Sequence, residues 1–95
     1  MSLVFRWDPA KAASNAAKHG VSFEQALTVF GDPLARIFED FEHSGGERRE
    51  IIVGHASDTR LLVVCFIEMS GFVRILSSRV ATGRERRDYE EKVFP

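Results

Sequence analysis

Arg74, Arg79, Arg84, Arg86 and Arg87 fall within one stretch, from Phe72 to Tyr89, that starts with a strand period and ends with a helical one. A guanidinium keeps its charge at any working pH, and its planar fork of N–H donors matches a pair of phosphate oxygens. The period changes at Thr82, with Glu85 three residues on. That is capping-box spacing: the Thr hydroxyl accepts from the N3 amide while the Glu carboxylate reaches back to the N-cap amide. A helix starting there adds free amides and a partial positive charge beside Arg79 and Arg84. The stretch is therefore expected to form an anion site, with RNA phosphate as the anion. Strand alternation sets Arg74 and Arg79, five residues apart, on opposite faces unless a bulge intervenes. A plainer reading pairs these arginines with Glu24, Glu68, Glu85 or Asp88 on the surface, and residue types alone leave both open.

Other groups could move protons. Glu68 ends an apolar run and could act as a general base beside the arginines. It could equally form a strand-end ion pair worth under about 1 kcal/mol. His55 also closes a strand and could be a general acid or base, although a solvated strand-end histidine is the commoner case. His19 and Lys18 sit in the last turn of an expected helix, where positive charge favours the dipole. His43 belongs to a loop. The histidines are isolated and Cys65 is the one cysteine, so no metal-ligand spacing is present. Cys65, inside the apolar run Leu61–Ile67, reads as a small buried hydrophobe. No Walker loop, G-x-G-x-x-G or nucleophile elbow occurs. The expected chemistry acts on an anion with neither metal nor cofactor.

The frame for these groups is one domain over residues 1–95, since 95 residues cannot fill two cores. A net charge of −1 argues against tight, nonspecific nucleic-acid binding, but a locally basic face can still hold a polyanion. The start, Met1 to Asp8, lacks the features of a secretory leader, and no apolar run reaches membrane-span length, so a cytoplasmic protein is expected. Leu3–Trp7 is strand-like. Asp8-Pro9 opens a helix that Gly20 stops. Ser22 with Gln25 caps a second helix, whose stripe is Phe23, Ala26, Leu27 and Phe30, and Gly31-Asp32-Pro33 ends it. An edge strand over Leu34–Glu39, a loop over Asp40–Glu47 and a strand over Arg48–His55 come next. Ser57-Asp58-Thr59 turns the chain into a central strand covered on both faces. The last strand and a C-terminal helix complete an α+β fold: two N-terminal helices, an antiparallel meander and one closing helix.

Several separated motifs resemble the BrnT toxins. They are Trp7-Asp8-Pro9-Ala10-Lys11, Asn15, Lys18 to Ala26, Phe30 with Asp32-Pro33, Arg49 to Gly54, Arg74 to Thr82, and Arg84-Glu85-Arg86 with Tyr89. Met69 follows Glu68 where members often carry an arginine. The resemblance implies a RelE-like, metal-independent endoribonuclease toxin of a bacterial type II toxin–antitoxin pair. In such a nuclease the RNA 2′-hydroxyl attacks its own 3′-phosphate. Arg79 and Arg74 are then expected to stabilise charge, with Lys18, Glu68 or His55 moving protons and Lys11, Arg49 and Arg84 binding RNA. The implied partners are RNA and a BrnA-type antitoxin, with DNA reached only through the antitoxin, no membrane, and a possible toxin dimer within the complex. Two other readings stand beside it: a non-catalytic RNA- or protein-binding module using the arginine face, and an interaction protein gripping through Leu34–Glu39.

Overall fold

The computed structural model describes residues 3–41 and 45–92; His43 lies outside them. The elements are β1 (Phe5–Arg6), α1 (Pro9–His19), α2 (Phe23–Thr28) with a 3₁₀ turn at Val29–Gly31, β2 (Arg36–Glu39), β3 (Arg49–His55), β4 (Leu61–Met69), β5 (Phe72–Val80) and α3 (Gly83–Glu91). Local chemistry sets their ends. The Asp8 carboxylate accepts from Ala10 N–H and Pro9 opens α1, which stops at Gly20 with φ +68°. The Ser22 hydroxyl accepts from Gln25 N–H at the start of α2. Thr82 and Glu85 form the complete capping box of α3.

The strands form one sheet in the order β1-β5-β4-β3-β2. β2 to β5 are antiparallel neighbours, as the meander predicts. β1 departs from it by pairing parallel with β5, Phe5 beside Val73 and Arg6 beside Arg74. The sheet is therefore mixed. The physical reason is burial: Phe5 and Trp7 pack into the core formed by α1, α2 and one sheet face, which draws the N-terminus to the open side of β5.

That core gathers Val21, Phe23, Ala26, Val29, Ile52, Leu62, Val64, Phe66 and Ile75. The other sheet face carries a smaller cluster, Val53, Leu61 and Val63, roofed at one end by Ala81 and by Tyr89 of α3. Gly54 is required where β3 passes the turn before β2, because a Cβ there would lie 2.8 Å from that of Ala35. Among the described residues no helix is long and apolar enough to cross a membrane.

β1 covers only the first part of β5, and beyond it Asn15 takes the place of a neighbouring strand. Its Nδ2 donates to the carbonyls of Ser78, at 2.8 Å, and Val21, at 3.0 Å, and its Oδ1 accepts from Ser78 N–H at 3.0 Å. A side-chain amide thus satisfies both backbone groups of Ser78, which are too buried for water to serve.

Candidate functional site

The β4–β5 register slips by one residue: Cys65 faces Ser77, while Phe66 faces Ile75. Leu76 is the extra residue of a β-bulge. Its consequence is parity. Val73 and Ile75 point into the helix-covered core, and Ser78 is buried on that side beside Asn15. Alternation then turns Arg74, Ser77 and Arg79 to the opposite, more open face. Without the bulge the two arginines would point apart.

Cross-strand pairing extends this face. Arg6, Arg74, Ile67 and Arg49 stand side by side on β1, β5, β4 and β3. The next rows place Ser77 beside Cys65 and Ile51, then Arg79 beside Val63 and Val53. A groove of about 420 Å³ lies over them, lined by Asp40, Arg49, Ile51, Val63, Cys65, Ser77 and Arg79. It continues beneath α3 into a second hollow of about 270 Å³ that shares Ile51, Val63 and Arg79 and adds Arg84, Glu85 and Asp88. The floor is apolar and the walls are charged, with Arg49, Arg79 and Arg84 set against Asp40, Glu85 and Asp88.

Arg79 is fixed in this groove. Its two terminal nitrogens donate to the two carboxylate oxygens of Glu85 at 2.6 and 2.8 Å. The same Glu85 accepts from Thr82 N–H at 2.9 Å, so one carboxylate closes the helix cap and orients the arginine. Hydrogen bonding from Arg79, followed by that from Thr82, outweighs burial and pulls the Glu85 pKa down to about 2; the pairing raises that of Arg79. The surface-pairing reading therefore holds for Arg79, which is matched by Glu85, yet the pair remains at the groove. Arg74 has no ion pair among the described residues.

The remaining expected residues fall in four places. Arg49 and Arg84 join Arg79 along the groove. Lys11 and Lys18 line a separate hollow between α1 and the bulge, with Ser14, Asn15, His19, Leu76 and Ser77. Ser77 lies on both, so this basic patch adjoins the groove around the edge of β5. Glu68 sits toward the other end of β4, in a hollow with Leu3, Val4 and Phe72, and is paired with Val73 instead of a groove residue. His55 packs edge-on against Tyr89, with ring centroids 5.5 Å apart, and its Nδ1 lies 3.7 Å from Asp32.

Asp32 ties that corner together, accepting from His55 N–H at 2.7 Å, Leu34 N–H at 2.9 Å and the Tyr89 hydroxyl at 3.3 Å. Burial pushes its pKa up, but these donors together hold it below the usual carboxylate value. The cluster anchors α3 to β3 and the turn before β2. Sequence reasoning did not single out Asp40 and Ser77 as groove residues, since their placement depends on strand pairing and on the bulge. Cys65, expected to be a buried hydrophobe, is half-buried on the groove floor. Burial and then Asp40 raise its pKa, with Arg49 opposing, so it stays a thiol.

Among the described residues no group of three or more His, Cys, Asp or Glu is placed to hold a metal ion. Residues 7–85 match the family described as ribonuclease toxin, BrnT, of type II toxin–antitoxin systems. The 1.1 Å crystal structure of the Brucella abortus ribonuclease toxin BrnT superposes with a TM-score of 0.66 at 21% identity, covering 85% of this chain and 99% of that one. At that identity the superposition speaks for the fold. A comparison with curated proteins returned no match. The family match runs from Trp7 through the sheet to Glu85, and the chain belongs to the BrnT family of ribonuclease toxins of type II toxin–antitoxin systems.

Proposed function

We propose that this chain is a RelE-like, metal-independent endoribonuclease that cleaves RNA by attack of a ribose 2′-hydroxyl on its own 3′-phosphate. The observation that carries the reading is the convergence of Arg49, Ser77 and Arg79 on one groove of the open sheet face. In this reaction the substrate supplies the nucleophile. The 2′-oxygen–phosphorus bond forms as the bond to the 5′-oxygen breaks, leaving a cyclic phosphate. The protein must hold the phosphate and stabilise the extra negative charge of the phosphorane, which fixed guanidinium donors in a partly dry groove do well.

Arg79 is the principal stabiliser in this scheme. Glu85 takes two of its donors and locks its rotamer, leaving the other donors for the phosphate. Arg49 serves the same phosphate from the opposite wall, and Arg84 the adjoining one. Asp40, a groove carboxylate beside Arg49, is assigned the 2′-hydroxyl proton ahead of Lys18, Glu68 and His55, which line other parts of the surface. Lys11 and Lys18 guide the strand across the edge of β5 as phosphate contacts. Arg74 lies further along the same face and binds substrate. Solvent supplies the proton to the leaving 5′-oxygen.

The family membership supports the biological setting. The toxin would act on RNA in the cytoplasm, slow translation and growth, and be neutralised by a BrnA-type antitoxin through which alone it meets DNA. A toxin dimer within that complex belongs to the same proposal. The test is purified protein and RNA in excess EDTA, with product ends read directly. Cyclic phosphate ends are expected, and Arg79→Ala should lower the rate about tenfold or more with the fold intact. Intact RNA sinks the nuclease and leaves a binding module; undiminished cleavage by Arg79→Ala removes Arg79 from the site.

A further inference from the structure

We infer that Arg6, Phe72 and Arg74 form a second RNA subsite, distinct from the Arg79 groove, that takes an unpaired base and its phosphate upstream or downstream of the cut. The inference rests on reading this chain as an RNA-cleaving enzyme. Parallel pairing sets Arg6 beside Arg74. Alternation turns both away from Phe5, Trp7 and Val73, which pack in the core, and so toward the face that carries the groove. The Arg6 guanidinium carbon lies 4.7 Å from the centroid of the half-buried Phe72 ring. An arginine seated over an aromatic ring offers a platform for a nucleobase, because both present flat, polarisable faces.

Arg74 stands next to this platform without an ion-pair partner among the described residues. Its row continues through Ile67 to Arg49 on the groove wall. The charge along the row suits a polyanion, and the aromatic within it favours a single strand, whose bases are free to stack. A duplex keeps its bases turned inward. Phe72 and Arg79 are separated by roughly 20 Å along β5, at about 3.3 Å per residue, so a dinucleotide cannot fill both places.

The test uses the full chain and a single-stranded RNA oligonucleotide with methylated 2′-hydroxyls, which cannot be cut, followed by fluorescence anisotropy. Phe72→Ala and Arg74→Gln should each weaken binding about tenfold, and Phe72→Trp should restore it. On cleavable single-stranded RNA the Phe72→Ala loss should appear in KM and not in kcat, and should disappear on a dinucleotide. Wild-type binding by Phe72→Leu and Arg74→Gln would overturn the inference, because apolar packing without a stacking face would then suffice. If wild-type protein cuts RNA and the variants bind normally, the subsite falls and the nuclease stands. If wild-type protein binds the methylated strand through Phe72 but cuts no RNA, the nuclease falls and the subsite stands.

Discussion

Replacing Asn15 with alanine tests the joint that secures β5 beyond its pairing with β1. The side-chain amide makes three hydrogen bonds of 2.8 to 3.0 Å to Val21 and Ser78, in a region where Asn15 is 7% and Ser78 1% exposed. At about 1 kcal/mol net per bond the loss is roughly 3 kcal/mol, and stranded backbone groups push it higher unless water enters. That is a large share of the roughly 5–15 kcal/mol expected for a domain. The melting temperature should fall by roughly 12–24 °C, at about 4–8 °C per kcal/mol for a chain of this size. Asn15→Asp keeps the acceptor for Ser78 N–H but turns a carboxylate toward two carbonyls, so it should be at least as unstable. Urea unfolding of both variants measures the effect. A loss below about 0.5 kcal/mol for Asn15→Ala, the scale of an ordinary surface change, would refute the view that this amide secures β5.

Gly54→Ala should cost about 1–3 kcal/mol in urea unfolding by overpacking, since the new methyl would lie 2.8 Å from Ala35 Cβ and 3.0 Å from both Asp32 Oδ2 and Val29 Cγ1. An unchanged midpoint would show that the turn before β2 can retreat. The Glu85 pKa, lowered to about 2, makes the Arg79 pair a stabilising feature that is complete above the ordinary carboxylate range and lost as pH falls toward that value. Because both side chains are partly exposed, screening leaves this worth on the order of 1 kcal/mol. The stability gap between wild type and Glu85→Gln should therefore be constant near neutrality and close on acidification; a gap independent of pH would contradict it.

Much of the fold is legible in the residues. Asp8-Pro9, Gly20, Ser22 and the Thr82–Glu85 box mark helix ends by local hydrogen-bond chemistry, and the structure uses each of them. Periodicity located β3, β4 and β5, and Leu61–Ile67 forms most of the central strand. Alternation marks a strand but is silent on its partner, so the parallel attachment of β1 could not be read. The bulge is a second such case. Nothing in Ile75-Leu76-Ser77 announces an extra residue, yet it decides that Arg74 and Arg79 share a face. Site residues suffered most from this limit. Glu68 and His55 both end strands, but Glu68 sits by Val73 and His55 by Asp32 and Tyr89. Asp40 and Ser77, distant in sequence, reach the groove through pairing alone.

The groove between Arg49 and Arg79 is proposed to receive the RNA phosphate. Arginine Nε–Hε resonances can be followed by NMR while a 2′-O-methylated RNA strand is added. Arg49 and Arg79 should shift and saturate together, while Arg60, held by Asp58 and the Gly20 carbonyl on another part of the surface, stays still. Saturable shifts at Arg60 with none at Arg49 or Arg79 would place the RNA elsewhere and contradict the account.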